Sequence, residues 1–262
     1  MLWPENMSEE PKAHTIQTDL LEVETTDDGS TTLVDRATGI TYRSIYGAAS
    51  EAAHVFVEGT RIFSRVGPWS ILEFGLGGGT NLLTTLSHYR AQNLQDELNY
   101  HAIERALIGS SLGSQLHRES AHPDDLDFLC NILTQANQSM TVFRHPKLNV
   151  RFTLWPGDFR EAQLPKAYFD AVYHDPFDPQ VNPDGWTETW FKIALAAMQP
   201  HAILTTYSAA TAVRRAMARA GLFLGSLPGS RGKREMTGAS PALEHLLGYQ
   251  ALSASKQPGP SQ

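Results

Sequence analysis

Short apolar runs that end in a glycine or an acid, separated by stretches with helical spacing, dominate residues 69–220. Trp69-Ser70-Ile71-Leu72-Glu73-Phe74 reads as a buried strand running into a glycine cluster, and residues 81–91 restore helical spacing. Tyr100-His101-Ala102-Ile103-Glu104 is a second strand, followed by a helical stretch over about residues 106–117. Residues 149–154, ending at Gly157-Asp158, form a third, and residues 169–174, ending at Asp175-Pro176, a fourth. A fifth covers residues 202–207, with a helix over 209–220. Strands alternating with helices at this spacing predict an α/β, Rossmann-like fold with a doubly wound, mostly parallel sheet.

Ahead of this core, Leu20-Leu21-Glu22-Val23 and Thr31-Thr32-Leu33-Val34 flank Asp27-Asp28-Gly29, which predicts an N-terminal β-hairpin. Residues 47–58 read as a helix leading into the core. Between the second and third strands lies a surplus near residues 121–146, where 124–138 have helical spacing and predict a helical insertion. The expected organisation is a flexible N-terminus (1–18), a hairpin and lead-in helix (19–66), a core (67–250) and a disordered, Ser/Pro/Gly/Gln-rich tail (251–262).

Composition narrows the classes. With 262 residues and 41% hydrophobic content, the chain can bury one good core. Cys130 is the single cysteine, which removes intrachain disulfides and cysteine-based zinc sites. No apolar stretch is long enough to span a bilayer or resembles a signal-peptide core, so no membrane association and a cytoplasmic location are expected. None of the ten histidines pairs with an acid in a zinc motif, and alternation turns His174 away from Asp175, so no metal is expected. The net charge of −7 argues against a uniformly basic surface. The sign reverses locally around Arg214, Arg215, Arg219, Arg231, Lys233 and Arg234, which hints at a polyanionic partner.

The candidate chemistry gathers where the strands end, the usual ligand position on an open parallel sheet. Gly75-Leu76-Gly77-Gly78-Gly79-Thr80-Asn81 carries Thr80 where a dinucleotide fingerprint needs its third glycine or alanine, and no phosphate-binding lysine follows. Four acids occupy successive strand ends. Glu73 is placed for the positive end of a cofactor, Glu104 for ribose hydroxyls, Asp158 for an adenine amino group, and Asp175 sits above the turn. This set, with Gly75, Gly77, Gly79 and Asn81, suits S-adenosyl-L-methionine, which carries no phosphate and needs only close backbone approach.

Asp175-Pro176-Phe177 resembles the Asp/Asn-Pro-Pro-aromatic motif of methyltransferases acting on exocyclic or primary amines, making Asp175 and Phe177 the catalytic candidates. A helix cap beside a turn-forming proline is the plainer reading of Asp175. A wider resemblance rests on Tyr42-Arg43-Ser44, Gly47-Ala48, Glu51, His54-Val55-Phe56 and Glu58. It continues through Asp175-Pro176-Phe177-Asp178-Pro179, Trp186-Thr187, Thr205-Thr206-Tyr207-Ser208 and Pro228-Gly229-Ser230-Arg231-Gly232-Lys233-Arg234-Glu235-Met236. Over about residues 20–238 the chain resembles the methyltransferase domain of the bifunctional tRNA 5-methylaminomethyl-2-thiouridine biosynthesis family and its stand-alone forms.

The resemblance implies methyl transfer from S-adenosyl-L-methionine to an aminomethyl group on the wobble uridine of tRNA, after another enzyme has installed that group. It implies that Tyr42, Ser44 and Glu51 close over the cofactor or the base. It also implies a stand-alone methyltransferase, because the family's flavin-dependent oxidase domain does not follow. A phosphate-binding strip of Arg214, Arg215, Arg231, Lys233 and Arg234 is expected, with Phe177 and Trp186 as the nearest aromatics for stacking a base. Trp186 reads equally as a core anchor. A methyltransferase or aminopropyltransferase-like enzyme acting on a small amine, and a catalytically silent RNA-binding subunit, remain the competing readings.

Overall fold

A computed structural model describes residues 14–15, 20–119, 121–135 and 139–252. Its strands are β1 (His14–Thr15), β2 (Leu21–Thr25), β3 (Thr31–Asp35), β4 (Trp69–Phe74), β5 (Leu98–Glu104), β6 (Ala106–Leu107) and β7 (Thr141–Arg144). They continue with β8 (Val150–Pro156), β9 (Phe169–His174), β10 (Met198–Thr206), β11 (Phe223–Pro228), β12 (Glu235–Ser240) and β13 (Gln250–Ala251). The helices are α1 (Ala48–Ala52), α2 (Thr80–Ala91), α3 (Ser110–His117), α4 (Pro123–Gln135), α5 (Glu188–Ala197) and α6 (Thr211–Arg219).

Nine strands form one sheet in the order β13-β11-β12-β10-β9-β4-β5-β8-β7. β8, β5, β4, β9 and β10 run parallel. β12 lies antiparallel between β10 and β11, and β7 and β13 are antiparallel edges. From β4 the chain first builds outward through β5 and β8, then returns to the other side of β4 with β9 and β10. The switch point therefore falls between β4 and β9, where such sheets open a crevice for a ligand.

Every residue of β4 is buried, as a central strand covered on both faces requires. Alternation divides the strand between two cores. Ile71, with Tyr100 and Phe152, faces Phe56, Leu82 and Phe128. Leu72, with Val172 and Leu204, faces Trp190, Phe191 and Met217.

Several expectations change in detail. The lead-in helix is α1 followed by π-helical turns over Ala53–Glu58. The stretch after β5 begins with β6, which pairs in parallel with β1, so the helix starts only at Ser110 and part of the expected flexible N-terminus is strand. The insertion helix ends at Gln135, and residues 136–138 lie outside the described residues. Gln250 and Ala251 form β13, so the expected tail loses its first residue to the sheet; residues 253–262 lie outside the described residues, as do 1–13 and 16–19.

β7, β11, β12 and β13 were not legible as strands. The glycines explain two of them. Gly225 and Gly238 face each other across β11 and β12, and Tyr249 lies over both, since a Cβ on Gly225 would come within 2.5 Å of the Tyr249 Cβ. The missing side chains are thus supplied by one tyrosine remote in sequence.

The insertion is fastened by charge. The Asp125 carboxylate accepts the Arg90 Nη2–H at 2.6 Å and the His145 Nε2–H at 2.9 Å, joining α4 to α2 and to the loop after β7. Burial pushes the Asp125 carboxyl up, but the hydrogen bonds from His145 and Arg90 outweigh it and hold it below its ordinary value. No helix among the described residues is long and apolar enough to cross a membrane.

Asp125→Ala should cost about 3 kcal/mol in urea unfolding, because it strands a buried histidine and a half-buried arginine. The wild-type advantage over this variant should be full above about pH 4 and shrink as pH falls through the depressed native pKa.

Candidate functional site

The carboxyl ends of β4, β5, β8 and β9 border a cavity of about 680 Å³, within the range of small-molecule and cofactor sites. The backbone makes its floor. The Asp175 N–H donates to the Phe74 carbonyl and the Gly75 N–H to the Ile103 carbonyl, each at 3.0 Å, where the strands part. Gly75 has φ +90°, and a Cβ there would sit 2.7 Å from the Asp175 carbonyl oxygen, so only glycine lets the turn pass beneath it. Gly77, at φ +52°, points its N–H at Glu104 Oε2, 2.9 Å away. Gly79 leads into α2 and packs on Leu129 of the insertion.

Glu104 and Asp158 line the cavity on the β5 and β8 side. Glu104 also accepts the Ala106 N–H at 2.8 Å; burial lifts its pKa against these backbone donors. Asp158 is held below its ordinary pKa by hydrogen bonds from Arg160.

Glu73 lies elsewhere. It is fully buried and is not among the cavity-lining residues. Asn81 Nδ2 donates to its Oε1 and the Tyr100 hydroxyl to its Oε2, both at 2.8 Å. This correction has a simple cause: alternation along β4 turns Glu73 under the sheet with Ile71, toward Tyr100, rather than up to the cavity. Burial raises its pKa to about 8 against the pull of Arg43.

Asn81 bridges this buried acid to Asp175, donating to Asp175 Oδ2 at 2.8 Å. The same Oδ2 takes Arg43, whose side chain is as buried as the carboxylate it pairs with. Oδ1 has no protein hydrogen bond among the described residues. Burial lifts the Asp175 pKa to about 6, opposed by Arg43 and Asn81. Beside it, Phe177 meets Tyr42 edge to face at 4.7 Å. The Tyr207 hydroxyl donates to the Pro176 carbonyl at 2.9 Å, fixing the Asp175-Pro176-Phe177 turn. Trp186 is a core anchor: it is buried, donates to the Phe177 carbonyl at 2.8 Å and packs on His174. His174 itself is buried among aromatics, its Nε2 on the Gly185 carbonyl.

Glu51 clasps the mouth. Its Oε1 takes Lys233 Nζ at 2.6 Å and Ser230 Oγ at 3.3 Å, while Oε2 takes the Ser44 N–H at 3.3 Å. Lys233 lies 4.3 Å from the Tyr207 ring centroid. Tyr42, Ser44, Glu51 and Lys233 all line the cavity. The expected cationic strip breaks up. Arg214 is buried and spent internally, with Nε on Thr237 at 2.9 Å and Nη2 on Glu235 at 2.8 Å, because it ties α6 to β12. Arg215, Arg231 and Arg234 are exposed. Among the described residues no group of three or more His, Cys, Asp or Glu side chains could hold a metal.

Arg43 and Tyr207 join the site although the sequence marks neither as more than part of a longer motif. A lone arginine between Tyr42 and Ser44 gives no sign that it will be buried against a carboxylate 132 positions later.

The site fits S-adenosyl-L-methionine. The glycine cradle admits close backbone approach, the acids Glu104, Asp158 and Asp175 line the cavity as a cationic donor rich in hydroxyl and amino groups requires, and the loop has no cation for a phosphate. The fold is that of a class I S-adenosyl-L-methionine-dependent methyltransferase, and the family described by that cofactor and activity matches residues 126–242. The chain is homologous to proteins named tRNA 5-methylaminomethyl-2-thiouridine biosynthesis bifunctional protein. That of Polaromonas naphthalenivorans is 30% identical over 207 residues, covering 75% of this chain and 32% of the relative. That of Burkholderia multivorans is 32% identical over 231 residues, covering 80% and 33%. The chain therefore spans about a third of the length of the curated relatives it matches. The crystal structure of MNMC2 from Aquifex aeolicus shares the fold, with a TM-score of 0.69 at 24% identity over 85% of this chain and 70% of that one.

Because the Glu73 pKa is raised on folding, the native state holds its proton longer than the unfolded chain, and stability falls as pH rises between about 4.5 and about 8. Glu73→Gln should flatten that slope in thermal melts taken across this range; an unchanged slope would show that Glu73 is ionised throughout.

Proposed function

We propose that the protein transfers a methyl group to the primary amine of 5-aminomethyl-(2-thio)uridine at the wobble position of tRNA, giving 5-methylaminomethyl-(2-thio)uridine. The observation that carries this reading is the Asp175 carboxylate in the cavity, with Oδ2 engaged by Asn81 and Arg43 and Oδ1 left for an acceptor. The names of the relatives support the choice of acceptor.

Glu104 and Asp158 would hold the ribose and adenine of the donor, and Gly75 and Gly77 its approach to the backbone. When bound, S-adenosyl-L-methionine supplies an electrophilic methyl carbon on a sulfonium. Tyr42 and Phe177 frame the base, and Asp175 Oδ1 accepts a hydrogen bond from the amine, aiming its lone pair along the line of displacement. An alkylammonium must shed a proton before attack, and Asp175, ionised above about pH 6, relays it to water. The amine's lone pair would take the methyl group that the bound donor supplies, the donor's sulfur would keep the former C–S bonding pair, and the single proton lost is the one passed to Asp175. Arg43 has no reacting role; it keeps Asp175 ionised at neutral pH.

The amine must come from an enzyme that installs the aminomethyl group. Arg215, Arg231 and Arg234 are the exposed cations for the tRNA backbone, in a protein that works in the cytoplasm.

The deciding experiment incubates the protein with labelled donor and tRNA bearing aminomethyluridine, then analyses nucleosides by mass. A methylaminomethyl product is expected. Bound donor with no such product, and methylation of free small amines instead, would move the assignment to a small-amine enzyme.

Asp175→Asn should bind donor normally and lose about 10²-fold or more in turnover. Arg43→Ala should move the acid limb of the wild-type pH profile upward from about 6, since it removes the charge that lowers the Asp175 pKa. For tRNA binding, Arg231→Ala and Arg234→Ala should each reduce the slope of log affinity against log salt by about 1. Unchanged slopes would remove this loop from the tRNA interface.

A further inference from the structure

Three exposed apolar residues rim the cavity mouth: Ile45 (49% exposed), Tyr46 (47%) and Val181 (48%). Large apolar side chains left in solvent around a functional opening mark a contact surface. Tyr46 is held in place on both sides. Its N–H donates to Ser44 Oγ at 3.3 Å, and the Ile45 carbonyl before it accepts the Asp27 N–H at 2.9 Å. Its ring edge crosses Gly232 so closely that a Cβ there would lie 2.5 Å from Cδ2, and Gly232 has φ +82°. The ring thus rests on the backbone of the turn that carries Arg231 and Arg234. The ion pairs of this turn and its flank belong to Lys233 and Glu235; Arg231 and Arg234 enter none among the described residues. A preset aromatic ring beside two exposed, unneutralised guanidinium groups suits a flat base with a phosphate on either side.

Building on the function proposed above, we propose that Tyr46 is a stacking platform for the nucleotide adjoining the target uridine in a single-stranded RNA loop, with Arg231 and Arg234 on its phosphates. The target base enters the cavity past the packed pair Tyr42 and Phe177 on its wall, and its neighbour stays on the rim. Unstacking the target from the loop costs free energy, and a second stack on Tyr46 offsets part of it. The platform therefore selects a nucleotide within an RNA loop over the free nucleoside.

The test uses an unmodified anticodon stem-loop with the fluorescent base 2-aminopurine beside the wobble position, bound to the full chain with donor present. Stacking on Tyr46 should quench the probe. Tyr46→Ala should abolish the quench and weaken stem-loop affinity about tenfold, about 1.4 kcal/mol. Tyr46→Phe should retain both, and equal donor affinity in all three proteins shows that each is folded. Wild-type affinity and quench in Tyr46→Ala would overturn the proposal, as would failure of the wild type to bind the loop. Neither readout needs methyl transfer. Failure of the activity assigned above would instead show as absence of the methylaminomethyl product on an aminomethyl-bearing loop that still quenches.

Discussion

Gly75 and Asp175 meet at the switch point with no room for a single methyl group between them. That contact is the constraint on which the site depends. It lets β4 turn away beneath the end of β9, brings the glycine loop under the Asp175-Pro176-Phe177 turn, and sets the proposed donor and acceptor sides of one cavity a backbone's width apart. A side chain at position 75 would have to lift one wall from the other, and the in-line geometry that methyl displacement requires would go with it.

Beneath this contact lies an electrostatic arrangement that a solvent-exposed site could not sustain. Glu73, Asn81, Asp175 and Arg43 are joined in one buried chain, in which a single amide donates to two carboxylates and a single guanidinium faces both. Such networks are costly when incomplete. Here burial pushes both acids up, Glu73 to about 8 and Asp175 to about 6; Arg43 opposes it at both but pairs directly only with Asp175, whose charge in turn raises Glu73. One carboxyl is left as buried support and the other as a carboxylate near neutral pH.

Much of this could be read in the sequence, for stated reasons. The parallel strands announced themselves as continuous apolar runs because both their faces are covered, and the acids at their ends stood out because each broke such a run. β11 and β12 were silent because their pairing relies on Gly225, Gly238 and a tyrosine supplied from position 249. Glu73 was assigned to the cavity on the strength of its place before the glycines, whereas strand alternation sends its side chain the other way. Arg214 and Arg231 look alike in a charge count; only packing shows that the first is a buried tie and the second an open cation. Arg43 could not have been found by pattern at all, since its meaning lies in a partner across the chain.

The residues that reach the cavity divide by origin. Those on the proposed donor side (Gly75, Gly77, Glu104, Asp158) belong to the sheet and its loops, while Tyr42, Arg43, Ser44 and Glu51 come from the segment that precedes the sheet. Changes between residues 40 and 51 can alter how the Asp175 carboxylate is tuned through Arg43, and through Tyr42 they reach only the Gly77 and Glu104 edge of the proposed donor side. A shared scaffold can in this way acquire a new acceptor through a dozen positions near its beginning, and the lip formed by Glu51 and Lys233 is where such divergence would first be felt.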